Sequence, residues 1–473
     1  MVSRVMQISR KYMQKSEVIK KDAGNKGVKD WTSGNIFKNL LLLSWPMIIS
    51  NIMAMIGPTI DMIWVGRLGP DDIAAVGVSG MIVMFVMTVM MGVSIGARAL
   101  IARFIGMKKP LEAVRVARQA FMVSLVFSTI VAGIGIIFSD TILHLMGVED
   151  EVLRLGSAYL KVQFCGSVIM GFWMISESIM QSSGDTITPM RNGIISKVFH
   201  LILCPLFIFG WSFVPAMGIV GAALANIAAQ FVALGMNLQA LFTGKTQLHL
   251  NLRGMRIDPP LMWRIIRIGV PGIVMMAQKN LSNLIVMKII IMYGTLAVAA
   301  HAILQRVEMI FFMAGVGMGS AAGVLAGQNL GAGEPERAGK SGLFAISIAE
   351  SFVIMACAFA FIFPEKIIVI FNSDPELIKL TSVFLRIGVA GYVMCGVEPV
   401  FLNFFTGVGD TTIPMTFEVG TTWCLLLPMA ILLPKLWSLG VYGVRWAMVL
   451  SYILLSIAYI IYFKIGRWKG KEV

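Results

Sequence analysis

Asp61 stands at the far end of the apolar run Phe37–Ile60. A carboxylate surrounded by hydrocarbon is costly to keep charged, so an ionisable residue in such a run is a functional candidate by default. Asp61 can alternate between a neutral protonated state and a charged or Na⁺-bound one. With Gly66 and Arg67 close behind it, a solvated position at a helix end is the other reading. Glu398 lies in the middle of an apolar run, and Glu177 near the end of another, where it reaches either a cavity or the membrane interface. Arg306 and Glu308, two residues apart, suit substrate contacts or a structural ion pair. Lys279 is a fixed cation within a run and disfavours a second cation nearby, while Glu350 and Glu418 are weaker candidates that suit interhelical glue. Phe172, Trp173 and Trp423 offer rings to flat cationic ligands, although Trp also collects at membrane interfaces. The 35 methionines supply a polarizable surface that suits a promiscuous cavity or ordinary packing.

These residues need elements that hold them in a bilayer. The 473-residue chain is 57% hydrophobic and only 14% charged, against about 45–50% and about 25% in soluble domains. Apolar runs near the roughly 20 residues of a spanning helix fill most of it, and the short alternating segments of a barrel do not dominate. Twelve spans result, at about Phe37–Ile60, Ile73–Ile95, Gln119–Phe138, Ala158–Ile179, Gly193–Trp211, Gly218–Leu241, Ile268–Tyr293, Ala297–Gly319, Leu343–Phe363, Thr381–Phe405, Pro414–Leu433 and Gly440–Phe463. The net charge of +14 sits between the runs and at the ends rather than on one soluble patch, which excludes a nucleic-acid surface. With both termini in the cytosol, most Lys and Arg fall in cytoplasmic loops, including the segment from Arg98 to Arg118, as the positive-inside rule requires. The five cysteines lie inside apolar segments with neither metal spacing nor a disulfide framework.

One stretch occurs twice. Gly184-Asp185-Thr186-Ile187-Thr188-Pro189-Met190 returns 225 residues later as Gly409-Asp410-Thr411-Thr412-Ile413-Pro414-Met415. The same offset aligns Pro46 with Pro271, Gly92 with Gly317 and Gly106 with Gly331. Six spans per copy give two halves in the same orientation, a parallel repeat about an axis along the membrane normal. The organisation is therefore a basic tail (1–35), a six-helix half (36–243), a cytoplasmic linker (244–260), a second six-helix half (261–465) and a short tail (466–473), in an all-α polytopic membrane protein. Asp185 and Asp410 fall in cytoplasmic turns, where each is expected to cap the turn.

On these residues the chain resembles the multidrug and toxic compound extrusion (MATE) transporters. The Pro46 span ending in Asp61-Met62-Ile63-Trp64-Val65-Gly66-Arg67-Leu68-Gly69, the Ala299-Ala300-His301 segment, Gly92 to Gly106, the twin Gly-Asp-Thr turns and the half-chain repeat carry the match over about residues 36–465. The Asp61 segment is most similar to the DinF-like branch. The resemblance implies two six-helix lobes forming a V, and export of small amphipathic, often cationic compounds driven by H⁺ or Na⁺ entry. It implies a monomer in the plasma membrane, no organic cofactor, and the first-lobe coupling carboxylate at Asp61. Where the branch has an asparagine and then an aspartate in the fifth span, this chain has His200 and Cys204, and where it has a tyrosine before Asp61 this chain has Gly57. His200 then substitutes as a proton acceptor, since an unperturbed imidazole titrates near pH 6.5, or is a buried neutral ring. Lys279 stands where some branches place a glutamate.

Two other classes fit less well. A flippase for lipid-linked sugars calls for several cleft arginines, and apart from Arg306 the spans offer few. A prenyl transferase calls for clustered acidic residues to hold Mg²⁺-pyrophosphate, and no Asp-x-x-Asp cluster occurs in the loops. No phosphate-binding Gly-rich loop with Lys-Ser or Lys-Thr is present either, which favours an ion gradient over ATP as the energy source.

Overall fold

Apolar runs with no free backbone partner in lipid must satisfy every N–H and C=O internally, and helices do so within one segment. The computed structural model describes residues 29–211, 214–244, 246–251 and 256–471, and follows that rule throughout. In order the helices are α1 (Ile36–Val65), α2 (Pro70–Gly106), α3 (Pro110–Leu145), α4 (Asp150–Ser183), α5 (Ile187–Phe209), α6 (Gly218–Phe242), α7 (Pro259–Ile291), α8 (Thr295–Gly331), α9 (Pro335–Ile362), the short α10 (Pro364–Val369), α11 (Pro375–Tyr392), α12 (Val397–Gly407), α13 (Thr412–Leu432) and α14 (Val441–Ile465). Eleven are long and apolar enough to span, and α11 with α12, bent by 44° at their junction, makes twelve. Proline opens α2, α3, α7, α9 and α11, where its missing N–H costs nothing.

Several expectations are corrected. The tenth span is broken rather than continuous over Thr381–Phe405, and Glu350 of α9 reaches the break, where a Cβ on Gly396 would meet its carboxylate at 3.0 Å. Arg98 and Arg103 lie inside α2, which runs to Gly106, rather than in a connecting segment. The tail ascribed to residues 1–35 lies largely outside the described residues, but its end is packed, with Trp31 buried. The linker packs too, through Leu248 and Leu250, and α7 already begins at Pro259; Lys245 and Arg253 fall outside the described residues. In the second tail Trp468 is fully buried and stacks on Phe463, while Arg467, Lys469 and Gly470 around it are exposed.

The halves join at the end of the molecule that carries both tails. The N-terminal turns of α1 (Leu40, Leu43, Met47) share a core with the last turns of α8. Gly106 and Gly331 close α2 and α8 against each other so tightly that a Cβ on either would overlap the other helix's backbone at Gln328 or Arg103. Gln328 Nε2 donates to Ser182 O at 2.9 Å across the same seam. The chain end adds a strap: Arg103 donates to the Lys471 carbonyl, Lys471 Nζ pairs with Asp410 at 3.1 Å, and Tyr462 donates to the same carboxylate. The twin turns have thus diverged. Asp185 caps its turn, accepting from Thr188 N at 3.1 Å, whereas the buried Asp410 anchors the strap instead.

Candidate functional site

Pro58 lies inside α1, three residues before Asp61. A proline there removes one helical hydrogen bond and makes the turn deformable. Asp61 turns into the first half and is 3% exposed, so the reading of it as a solvated helix end is set aside. His200 and Cys204, one turn apart on α5 and facing the same way, meet it there. His200 Nε2 is 3.0 Å and Cys204 Sγ 3.6 Å from Asp61 Oδ1. Both partners are fully buried, and neither ring nitrogen of His200 makes an aligned hydrogen bond. Tyr159 of α4 packs in the same cluster and accepts from Gln163 at 2.9 Å.

A second ionic group enters this half one turn earlier on α5. Lys197 fills the space opposite Gly57, where a Cβ would lie 2.7 Å from its Nζ. The glycine that replaces the expected tyrosine therefore makes room for an ammonium. Deeper towards the joined end, Arg98 donates to Gln181 at 3.2 Å and Gln181 to Glu177 at 2.9 Å, so Glu177 belongs to a fixed polar chain between α2 and α4.

The second half holds two clusters. Lys279 of α7 pairs with Glu398 of α12 at 3.1 Å and stands 5.4 Å from the Phe312 ring centroid. Glu398 is 2% exposed, while the Lys279 side chain is 48% exposed, so the lysine faces open space with its counter-ion behind it. Glu418 accepts from Tyr459 at 3.1 Å. The other cluster corrects an expectation: Glu308 does not pair with Arg306, because residues two apart point to different faces of a helix. Arg306 is exposed, and Glu308 pairs with the buried Arg445 at 2.5 Å. Tyr392 donates to Glu308 and accepts from Arg445 at 2.8 Å, and His301 Nδ1 lies 3.1 Å from Arg445.

The structure thus brings Asp61, His200 and Cys204 together, joins Lys279 to Glu398, and leaves Glu177, Arg306 and Glu308 in separate places. Phe172 packs edge-on against Phe121 of α3, with ring centroids 5.4 Å apart. Trp173, its neighbour on α4, is half-buried. Lys197 and Arg445 escaped the sequence reading. Lys197 lies three residues before His200, on the same helical face, and Arg445 interrupts the last apolar run, so both carried a signal.

The donor set at Asp61 is one carboxylate, one imidazole and one thiol. Hard cations prefer all-oxygen shells, so these three side chains do not fit Na⁺, whereas the Asp–His contact can hold and pass a proton.

A family model described as MatE matches residues 46–206 and 271–432. The probable multidrug resistance protein YoeA of Bacillus subtilis is 24% identical over 445 residues, covering 93% of this chain and 96% of its own. A protein of Shewanella oneidensis named FAD transporter is 24% identical over 431 residues, covering 90% and 94%. Among solved structures, a MOP superfamily transporter from Pyrococcus furiosus superposes with a TM-score of 0.86 at 23% identity, covering 95% of this chain and 99% of its own. It is described as having a binding pocket of reverse polarity that suggests a different function.

Proposed function

The chain belongs to the MatE family, and from that premise we propose that it is a secondary active exporter of small amphipathic molecules, driven by H⁺ entry through Asp61. It is a transporter and not an enzyme. The observation that carries the proposal is a buried carboxylate in direct contact with an imidazole and with no Lys or Arg salt bridge among the described residues, on the deformable turn after Pro58. Protonation neutralises Asp61 and lets the turn repack; release restores the charge. The positive-inside distribution supports cytoplasmic termini in a plasma membrane. The joined end is then the cytoplasmic gate, closed here, and alternating access requires the glycine seam to part. We assign a monomer of the DinF-like branch to the same reading. Reconstituted in proteoliposomes, Asp61→Asn is expected to bind substrate as wild type does and to lose gradient-driven export. Full export by that variant removes Asp61 from the coupling.

Lys197 and Lys279 favour a second reading of the substrate. At the 225-residue offset Lys279 matches Ala54, one turn from Gly57, so the two ammonium groups lie at similar depth in the two halves. The carboxylates nearest them are buried (Asp61 3%, Glu398 2%) while the Lys279 side chain is half-exposed. A guest meets positive charge first, which suits amphipathic anions rather than the cations the family resemblance implies. The Shewanella relative named FAD transporter points the same way, since FAD is an anion. Tetraphenylborate and tetraphenylphosphonium share shape and differ in charge. The borate is expected to bind more tightly and to lose about tenfold in affinity in Lys197→Gln, roughly the 1.4 kcal/mol of one lost ionic contact. Tighter binding of the phosphonium restores the cationic substrate.

A further inference from the structure

The three side chains that fail to make a Na⁺ site have the composition of a different one. Asp61, His200 and Cys204 offer one oxygen, one nitrogen and one sulfur, all within 4.8 Å of one another, and are the one such group among the described residues. We propose that they form a binding site for a borderline-soft divalent cation of the zinc class.

The geometry supports this in detail. Zinc lies about 2.0–2.2 Å from oxygen and nitrogen and about 2.3 Å from sulfur, so tetrahedral donors stand about 3.3–3.6 Å apart. The observed separations from Asp61 Oδ1 are 3.0 Å to nitrogen and 3.6 Å to sulfur. A cation between them needs only small side-chain rotations. The i,i+4 spacing of His200 and Cys204 on α5 presents both donors from one rigid face. Neither imidazole nitrogen makes an aligned hydrogen bond although the ring is fully buried. A buried polar group left in that state is costly, and a metal bond to Nε2 would use one of the two nitrogens. Three protein ligands leave the fourth position of the ion to water or another oxygen, the pattern of an open rather than a closed site. Imidazole and thiolate select zinc-class ions over alkali and alkaline-earth ones. Binding requires the thiolate, so the Cys204 proton leaves to solvent as the metal–sulfur bond forms, and His200 must be neutral at Nε2. The cation occupies the carboxylate that the proposed function uses for protons, yet binding is measured without transport, so each reading can fail alone.

Cobalt(II) is the probe, titrated into the untagged full chain in detergent. The wild type is expected to develop a near-ultraviolet thiolate-to-cobalt absorption and the visible bands of a four-coordinate ion, saturating at one Co²⁺ per chain and removed by Zn²⁺. Cys204→Ser changes a single atom and should abolish the thiolate band and the release of about one proton per metal. His200→Asn should weaken binding at least tenfold, and it carries the test if the serine variant fails to fold. Absence of the band in the wild type, or an undiminished band in Cys204→Ser, overturns the site.

Discussion

The two halves share a backbone plan and place their polar groups at different positions. At the 225-residue offset Asp61, His200 and Cys204 face Val286, Leu425 and Met429, while Glu308 and Glu398 face Val83 and Trp173. In the second half each of those two buried carboxylates has a fixed cation, Arg445 for Glu308 and Lys279 for Glu398. In the first half Asp61 has a histidine and a thiol against it, with Lys197 and Tyr159 close by and no Lys or Arg salt bridge among the described residues. An opposite fixed charge favours the charged form of a carboxylate, and the second half supplies one to each of these two where the first half gives Asp61 an imidazole instead. Duplication supplied two equal frames, and the polar substitutions made one a wall of fixed ion pairs and left the other a carboxylate beside an imidazole and a thiol.

The largest expected effect breaks the wall. Arg445→Met leaves Glu308 buried without its cation, and removing one partner of a buried pair costs about 3–5 kcal/mol. Thermal unfolding in detergent should fall sharply, and Glu308→Gln added to Arg445→Met should recover part of the loss. Wild-type stability in the single variant would mean that the second half tolerates charge change as the first does. A smaller effect sharpens the other side: His200→Asn should alter the pH dependence of export and leave the melting temperature close to wild type. An unaltered pH profile with a lower melting temperature would reduce His200 to packing.

Most of the architecture was legible in the sequence, because run length, positive charge between runs and a repeat at a nearly constant offset are local or periodic signals. Legible, too, was Asp61, a lone carboxylate at the end of an apolar run. Partner choice was not. Glu308 has Arg306 two residues away, but helix geometry separates them, and the true partner lies 137 residues on. Lys197 shares a helical face with His200, but that Gly57 leaves room for its ammonium is visible only in three dimensions. The π-helical turn at Thr421–Leu426 and the break before α12 also lay beyond the sequence reading, for apolar composition continues through both.

The strap of Lys471 on Asp410 and Arg103 has a practical consequence. The Lys471 segment is part of the seam between the halves, tying the second half's twin turn to a helix of the first. A fluorescent reporter attached at Lys471 would pull on that seam. Measurements of conformational equilibrium therefore call for labels placed away from Lys471.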